Sequence, residues 1–314
     1  MRYDSESLIH YTFVPYVNAP KAFQTVFKGV VGNIYPEIIP KFSVRYGAAD
    51  AHVALLVSKG SRSGGFNTQL FSDILQNEMK TGLMDDLHVH MVDEEASDAR
   101  KTTYKDESCW NFELTGRWSR PFGAHHFSAS ASLFWIEGFR QQLTVFPPGK
   151  NTGRMMTNAG RSRSGGAEVS LDYRFKGLHL AADYGFTDAR FVRFHDGNAD
   201  YAGKRIPYSP RHTVSAMGAY FMDFHRPDWR GLRLEVNFRG VGDIAWNESN
   251  TLMEPFVPLL GAAVSLVTRH AELYFRGENL LGRQYGQFYF RSMGNDFYQM
   301  SRPLALKGGI KITI

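Results

Sequence analysis

The strongest constraint on this chain is the order of its connections. Short and long links alternate between segments that read as two-faced β-strands. The pattern is plainest from Ser164 to Phe186. Ala167, Val169, Leu171, Tyr173 and Phe175 alternate with Glu168, Ser170, Asp172 and Arg174. Lys176-Gly177 supplies a two-residue turn, after which Leu178, Leu180, Ala182, Tyr184 and Phe186 alternate with His179, Ala181, Asp183 and Thr187. Side chains of a strand point to opposite faces with a period of two, so this hairpin has one apolar wall and one charged wall. Strands of about ten residues are long enough to cross a bilayer at a tilt. A transmembrane β-barrel is the first architecture to test, and a soluble all-β domain is its rival.

The same reading along the chain gives about twelve strands. They are Arg2–Phe13, Lys41–Gly47, His52–Arg62, Trp110–Trp118, Phe127–Phe146, the two of the hairpin, Arg211–Met222, one around Leu232–Arg239, Leu259–Val267, Ala271–Asn279 and Ala305–Ile314. Turns after even-numbered strands are short, and connections after odd-numbered strands are long: Ser63–Asp106, Pro147–Arg163, Arg193–Pro210, Asp243–Pro255 and Leu281–Pro303. Outer-membrane barrels sort their links this way. Sandwiches and propellers alternate apolar and polar residues too, but their turns rarely sort by parity.

Composition narrows the choice. Aromatic residues make up 14%, with 24 Phe and 15 Tyr, which suits strands. Mean hydropathy is −0.32, and no apolar run approaches the ~18 residues of a membrane helix. A chain of this kind crosses a membrane only as a closed barrel, which satisfies every backbone group internally. The single cysteine, Cys109, excludes an internal disulfide and a cysteine-based metal cluster. A net charge of +5 is mild and scattered, which argues against a nucleic-acid partner. Residues 1–20 hold no basic segment followed by an apolar one, hence no secretory signal. Either the chain is not exported or it is part of a longer protein.

Glu113, Arg117, Glu168, Asp172, Arg174, Arg233, Glu235, Arg239, Glu272 and Arg276 would line a wet interior in a membrane barrel and face outward in a soluble one. Trp110, Trp118, Trp135, Phe175, Tyr46 and Trp246, near strand ends, fit interface girdles or ordinary strand-end packing. In Gln69–Lys80, Leu70, Phe71, Ile74, Leu75 and Met79 recur at helical spacing behind Asn67 and Thr68, which predicts a short amphipathic helix within a loop.

Catalytic chemistry is not legible. A phospholipase-type barrel needs a nucleophile, a base and an orienting group, and no such motif stands out. Gly64-Gly65 and Gly165-Gly166 do not sit between a strand and a helix as a phosphate cradle would. The loop Ser63–Asp106 carries Asp85, Asp86, His88, His90, Asp93, Glu94 and Glu95. Imidazoles among carboxylates can hold a metal or a metal chelate, but the spacing matches no defined site and a solvated acidic loop is the simpler reading. No cofactor is expected.

Five short stretches, in order, resemble the carboxy-terminal half of a TonB-dependent outer-membrane receptor. They are Tyr35-Pro36-Glu37-Ile38-Ile39-Pro40-Lys41-Phe42; Ser58-Lys59-Gly60-Ser61-Arg62-Ser63-Gly64-Gly65-Phe66-Asn67; and Asn158-Ala159-Gly160 followed by Ser164-Gly165-Gly166-Ala167-Glu168. Then come Gly203-Lys204-Arg205-Ile206-Pro207-Tyr208-Ser209-Pro210-Arg211-His212, and Glu278-Asn279-Leu280-Leu281 with Tyr285-Gly286 and Arg302-Pro303. The resemblance implies an all-β antiparallel transmembrane barrel, of which this chain is the last part of about 22 strands around a plugged lumen. It implies that residues 1–314 are a partial barrel domain, with the plug, the segment that meets the TonB energy-coupling protein and the signal peptide all upstream. It also implies a place in the bacterial outer membrane, lipid around the barrel, and uptake of a ferric siderophore, haem or cobalamin-type chelate through the extracellular loops. His88, His90, Arg154, Arg205 and Tyr289 are the loop residues expected to meet that ligand. The alternative is a porin or adhesin-like barrel closing on its own about twelve strands, which requires Arg2–Phe13 to pair with Ala305–Ile314.

Overall fold

A computed structural model describes residues 2–15, 23–66, 103–145, 155–158, 160–195, 199–292 and 295–313. Thirteen long strands dominate it: β1 (Arg2–Pro15), β2 (Phe23–Glu37), β3 (Lys41–Gly47), β4 (Ala51–Arg62), β5 (Glu107–Phe122), β6 (His125–Phe139), β7 (Arg161–Phe175), β8 (Leu178–Arg193), β9 (His212–Asp223), β10 (Trp229–Gly242), β11 (Val257–Thr268), β12 (Ala271–Glu278) and β13 (Ala305–Ile312). No helix occurs among the described residues. The helix expected over Gln69–Lys80 lies outside them.

Strands β3 to β13 form one 11-stranded antiparallel sheet in which every strand pairs with its neighbours in sequence. The alternation of the sequence accounts for the register. Val53, Gly116, Ala131, Val169, Tyr184 and Val214 fall in one cross-strand row, with Leu55, Leu114, Leu133 and Ala167 in a parallel one. On the opposite face, Arg174, His179, Ala219, Glu235, Ala263, Arg276 and Lys307 share a row. A slip of one residue at any ladder would mix the two walls, so the pattern itself fixes the pairing.

Tight turns join the strands at one end. At β7–β8, Phe175 pairs directly with Leu178, leaving Lys176 and Gly177 as the loop. Lys176 takes a left-handed backbone with φ of 49°. Gly177 accepts the Phe221 amide at 2.8 Å, so close that a side chain here would run into the Phe221 carbonyl. This is the physical reason for the Lys-Gly pair.

Three expectations change. Phe23–Glu37 is a strand that the alternation test missed, because Val26-Phe27-Lys28-Gly29-Val30-Val31-Gly32 has no strict period. It pairs with β1 as a separate two-stranded ribbon, Arg2 opposite Glu37. Arg2–Phe13 therefore does not meet Ala305–Ile312, which pairs only with β12 among the described residues, and the self-closing barrel lacks the ladder it needs. Third, the strand expected to run to Phe146 breaks after Phe139, where Arg140 has φ of 54°. It resumes as the ribbon Gln142–Val145, paired with Met155–Asn158.

Buried apolar side chains gather at the end opposite the tight turns. Ala189, Phe191, Phe194, Ala245, Trp246, Val257 and Tyr289 are the ones that fall below a tenth exposed among the described residues. The apolar wall of the sheet behaves in the opposite way: Val53, Leu133, Val236, Phe275 and Ile310 are 51%, 59%, 51%, 53% and 64% exposed. A sheet that leaves such a wall uncovered expects another apolar medium against it.

Candidate functional site

The long-link end is where separate loops are tied into one structure. The segment around Arg205 extends β8 as an extra strand: the Phe191 amide donates to the Lys204 carbonyl at 3.0 Å and the Ile206 amide to the Ala189 carbonyl at 3.0 Å. Ile206, Tyr201 and Leu143 pack on the Phe191–Phe194 pair, whose rings lie 5.0 Å apart. Asn250, left-handed with φ of 59°, clamps the same segment. Its side-chain carbonyl accepts the Arg205 amide at 2.7 Å and its amide group donates to the Arg205 carbonyl at 3.0 Å.

An aromatic shelf grows from this clamp. The Tyr208 ring meets Trp246 edge-on at 5.5 Å and stacks on Phe288 at 6.0 Å. Its hydroxyl donates to the Tyr289 carbonyl at 2.9 Å, which links the loop after β8 to the ribbon Gly286–Ser292. Tyr208 is 50% exposed with φ of 61°, so a buried partner network holds an open ring in a costly backbone conformation. Below the shelf the Trp246 indole is 5% exposed, and its Nε1 is buried with no hydrogen-bond partner. Such a donor is costly to leave unsatisfied, about 1–3 kcal/mol. The open rings of Tyr208 and Phe288, 50% and 45% exposed, can thus stack a flat group.

Of the candidate ligand residues, Tyr289 is 4% exposed, its hydroxyl donates to Asp296 at 2.8 Å and its ring packs on Tyr298 at 5.1 Å, so it reaches the shelf through its backbone carbonyl alone. Arg205 sits half-buried in an antiparallel bridge with Arg190, and one of its guanidinium nitrogens is buried without a partner. His88, His90 and Arg154 lie outside the described residues. Trp246, expected in an interface girdle, is instead part of the loop cluster. Tyr208 and Phe288 escaped the sequence reading because their meeting depends on loops far apart in the chain. No group of His, Cys, Asp or Glu that could hold a metal occurs among the described residues.

Several side chains of the charged wall are paired with one another. Lys307 Nζ lies 2.7 Å from Glu278, Arg233 lies 3.7 Å from Glu272, and His179 Nε2 lies 2.6 Å from Asp172. At the tight-turn end, Arg120 Nε donates to Asp50 at 2.8 Å and holds its carboxyl below the ordinary carboxylate range.

Residues 2–280 match the model of the TonB-dependent receptor-like β-barrel. The chain belongs to the TonB-dependent receptor family. Solved receptors share its fold. The ferric yersiniabactin uptake receptor FyuA from Yersinia pestis aligns with a TM-score of 0.68 at 17% identity, over 98% of this chain and 40% of its own. The siderophore receptor PiuA from Acinetobacter baumannii gives 0.63 at 14% identity, over 94% and 38%. BauA, the ferric preacinetobactin receptor of the same organism, gives 0.58 at 15% identity, over 91% and 37%. The chain thus spans about two fifths of the length of these TonB-dependent receptors. A search of curated proteins found no match. Barrels of TonB-dependent receptors sit in the bacterial outer membrane. This assigns the exposed apolar wall to lipid, the charged wall to the lumen, the tight turns to the periplasmic side and the aromatic shelf to the outside of the cell.

Proposed function

We propose that this chain is the later part of a receptor barrel that takes up a metal chelate, of ferric siderophore, haem or cobalamin type, across the outer membrane. The observation that carries the reading is the pair of open rings of Tyr208 and Phe288, stacked at the extracellular end over the buried Trp246 indole. The flat conjugated parts of a chelate suit stacking surfaces of this kind. The ferric yersiniabactin uptake receptor FyuA, the siderophore receptor PiuA and the ferric preacinetobactin receptor BauA support the choice of ligand class. The plug that would gate the lumen, and through it the TonB protein, belongs to the proposal as the remainder of the receptor. The paired charges of the lumen wall, Arg233 with Glu272 and Lys307 with Glu278, are the surface it would rest on.

The test is uptake by cells carrying or lacking the receptor, with radioactive iron loaded on siderophores, with haem as sole iron source, and with labelled cobalamin. One of these uptakes should fall on deletion, and Tyr208→Ala with Phe288→Ala should weaken ligand binding about tenfold or more, as loss of a central aromatic anchor does. Unchanged uptake of all three classes in the deletion strain would overturn the reading.

A further inference from the structure

The turns at the periplasmic end are not alike. Gly123-Ala124, Lys176-Gly177 and Arg269-His270 each join two strands through a pair of residues. The β9–β10 turn takes residues 224–228, and every residue from Met222 to Arg230 is exposed. Its shape is nonetheless fixed. Asp223 accepts the His225 amide at 2.7 Å, and the Phe224 amide donates to the Arg230 carbonyl at 2.9 Å. His225 takes a left-handed backbone with φ of 55°. The Asp228 carbonyl accepts the Arg269 amide at 3.0 Å, which ties this turn to its neighbour between β11 and β12.

Beside the turn lies an open cleft of about 540 Å³. Phe221 and Val267 form its apolar floor, and Arg226, Arg230 and Arg233 edge it against one carboxylate, Asp223. That carboxylate is engaged by its own turn, with the His225 amide bonded to it and the His225 imidazole 3.7 Å away. Arg233 lies 3.7 Å from Glu272. Arg226 and Arg230 have no carboxylate partner among the described residues. Phe221 lies opposite Arg233, so the cleft is on the lumen side of the sheet and opens at its periplasmic mouth. Recognition of a ligand at the extracellular end uses none of these charges.

We propose that this cleft, through Arg226 and Arg230, docks the receptor on peptidoglycan by taking a free carboxylate of a stem peptide. Two observations select this occupant. The first is position. Arg226 stands in the turn beyond Asp223, the last paired residue of β9, on the side of the membrane where the wall polymer lies. Headgroups of the inner leaflet, the other anions on that side, run along the opposite face of the sheet. The second is chemistry. Two unpartnered guanidinium forks above an apolar floor match a short peptide of alanine and dicarboxylic residues: the forks take a carboxylate and the floor takes the methyl groups. A polymer that repeats such peptides offers the contact many times, so individually weak contacts add up.

The test uses the receptor purified from outer membranes and peptidoglycan sacculi stripped of protein. Co-sedimentation measures binding to untreated sacculi and to sacculi whose carboxylates have been amidated. The receptor should sediment with the untreated sacculi and stay in solution with the amidated ones, and added salt should release it. Arg226→Gln with Arg230→Gln should weaken binding about fivefold, the combined effect of two exposed ion pairs. Arg163→Gln, at the extracellular end, should leave binding unchanged. Equal sedimentation with both kinds of sacculi would overturn the proposal, as would full binding by the folded double variant or an equal loss in Arg163→Gln. No binding by the unaltered receptor would also overturn it and would assign the cleft to the plug or to a periplasmic protein.

Discussion

The two walls of the same sheet are built from the same strands, yet they solve opposite problems. The outer wall carries Val53, Leu133, Val169, Leu234 and Ile310 in register, each well exposed to whatever surrounds the protein. The inner wall carries Asp172, His179, Glu272 and Lys307, each in a hydrogen bond or ion pair with a neighbour across or along the strands. Apolar rows need no partner because lipid supplies the medium, whereas charges need partners because a narrow lumen supplies only part of theirs. The comparison teaches that burial within the chain is a poor guide to stability here. The wall with the least protein cover contributes most, through its transfer into lipid.

The sharpest way to break this contrast is a charge at the centre of the outer wall. Val169→Arg should destabilise the folded receptor by about 2–4 kcal/mol, while Ser170→Arg, its lumen-facing neighbour, should cost far less. Folding midpoints of receptor reconstituted in bilayers, measured in denaturant, check both. Similar losses at the two positions would mean that the walls have been assigned wrongly.

A smaller effect tests close packing on the inner wall. Gly166 faces the Phe134 ring and the Phe186 carbonyl, and any side chain there collides with both. Gly166→Val should destabilise by about 1–3 kcal/mol through overpacking, read by the same denaturation. Gly116, on the outer wall with open space around it, should accept Ala with little change.

Removing one lumen ion pair comes next. Lys307→Gln breaks the contact with Glu278 in a solvated setting, so the midpoint should drop slightly at low salt and not at all at high salt. The smallest effect concerns pH. Arg120 lowers the Asp50 carboxyl in the folded state, so its contribution is present above the unfolded value near 3.8 and is lost as the pH falls through the lower folded one. Asp50→Asn should lower stability slightly at neutral pH and remove that acid-side step, so that wild type and variant converge as the pH falls.

How much of this was legible in the sequence follows the same division. The walls were readable because a period of two is a local signal: Ala167 to Phe186 predicts its own hairpin, turn and faces, and the ladder from Phe175–Leu178 to Ala167–Phe186 agrees residue by residue. The β2 strand was not readable, because Val30-Val31 and the two flanking glycines, Gly29 and Gly32, break the period. The shelf was hidden for another reason. Tyr208, Trp246 and Phe288 come from separate loops, and their contact depends on the Asn250 clamp, which no spacing encodes.

The strict neighbour-to-neighbour order of the eleven strands also has a kinetic meaning. Each ladder joins segments that leave one another only for a turn or a loop, so the sheet can grow one hairpin at a time without any strand threading between two others. Doubling the length of a connecting loop adds only about 0.6 kcal/mol to the closure that each step requires. The outward loops are therefore free to lengthen and diverge while the order of assembly stays the same. A lineage could change what such a receptor recognises without relearning how to build it.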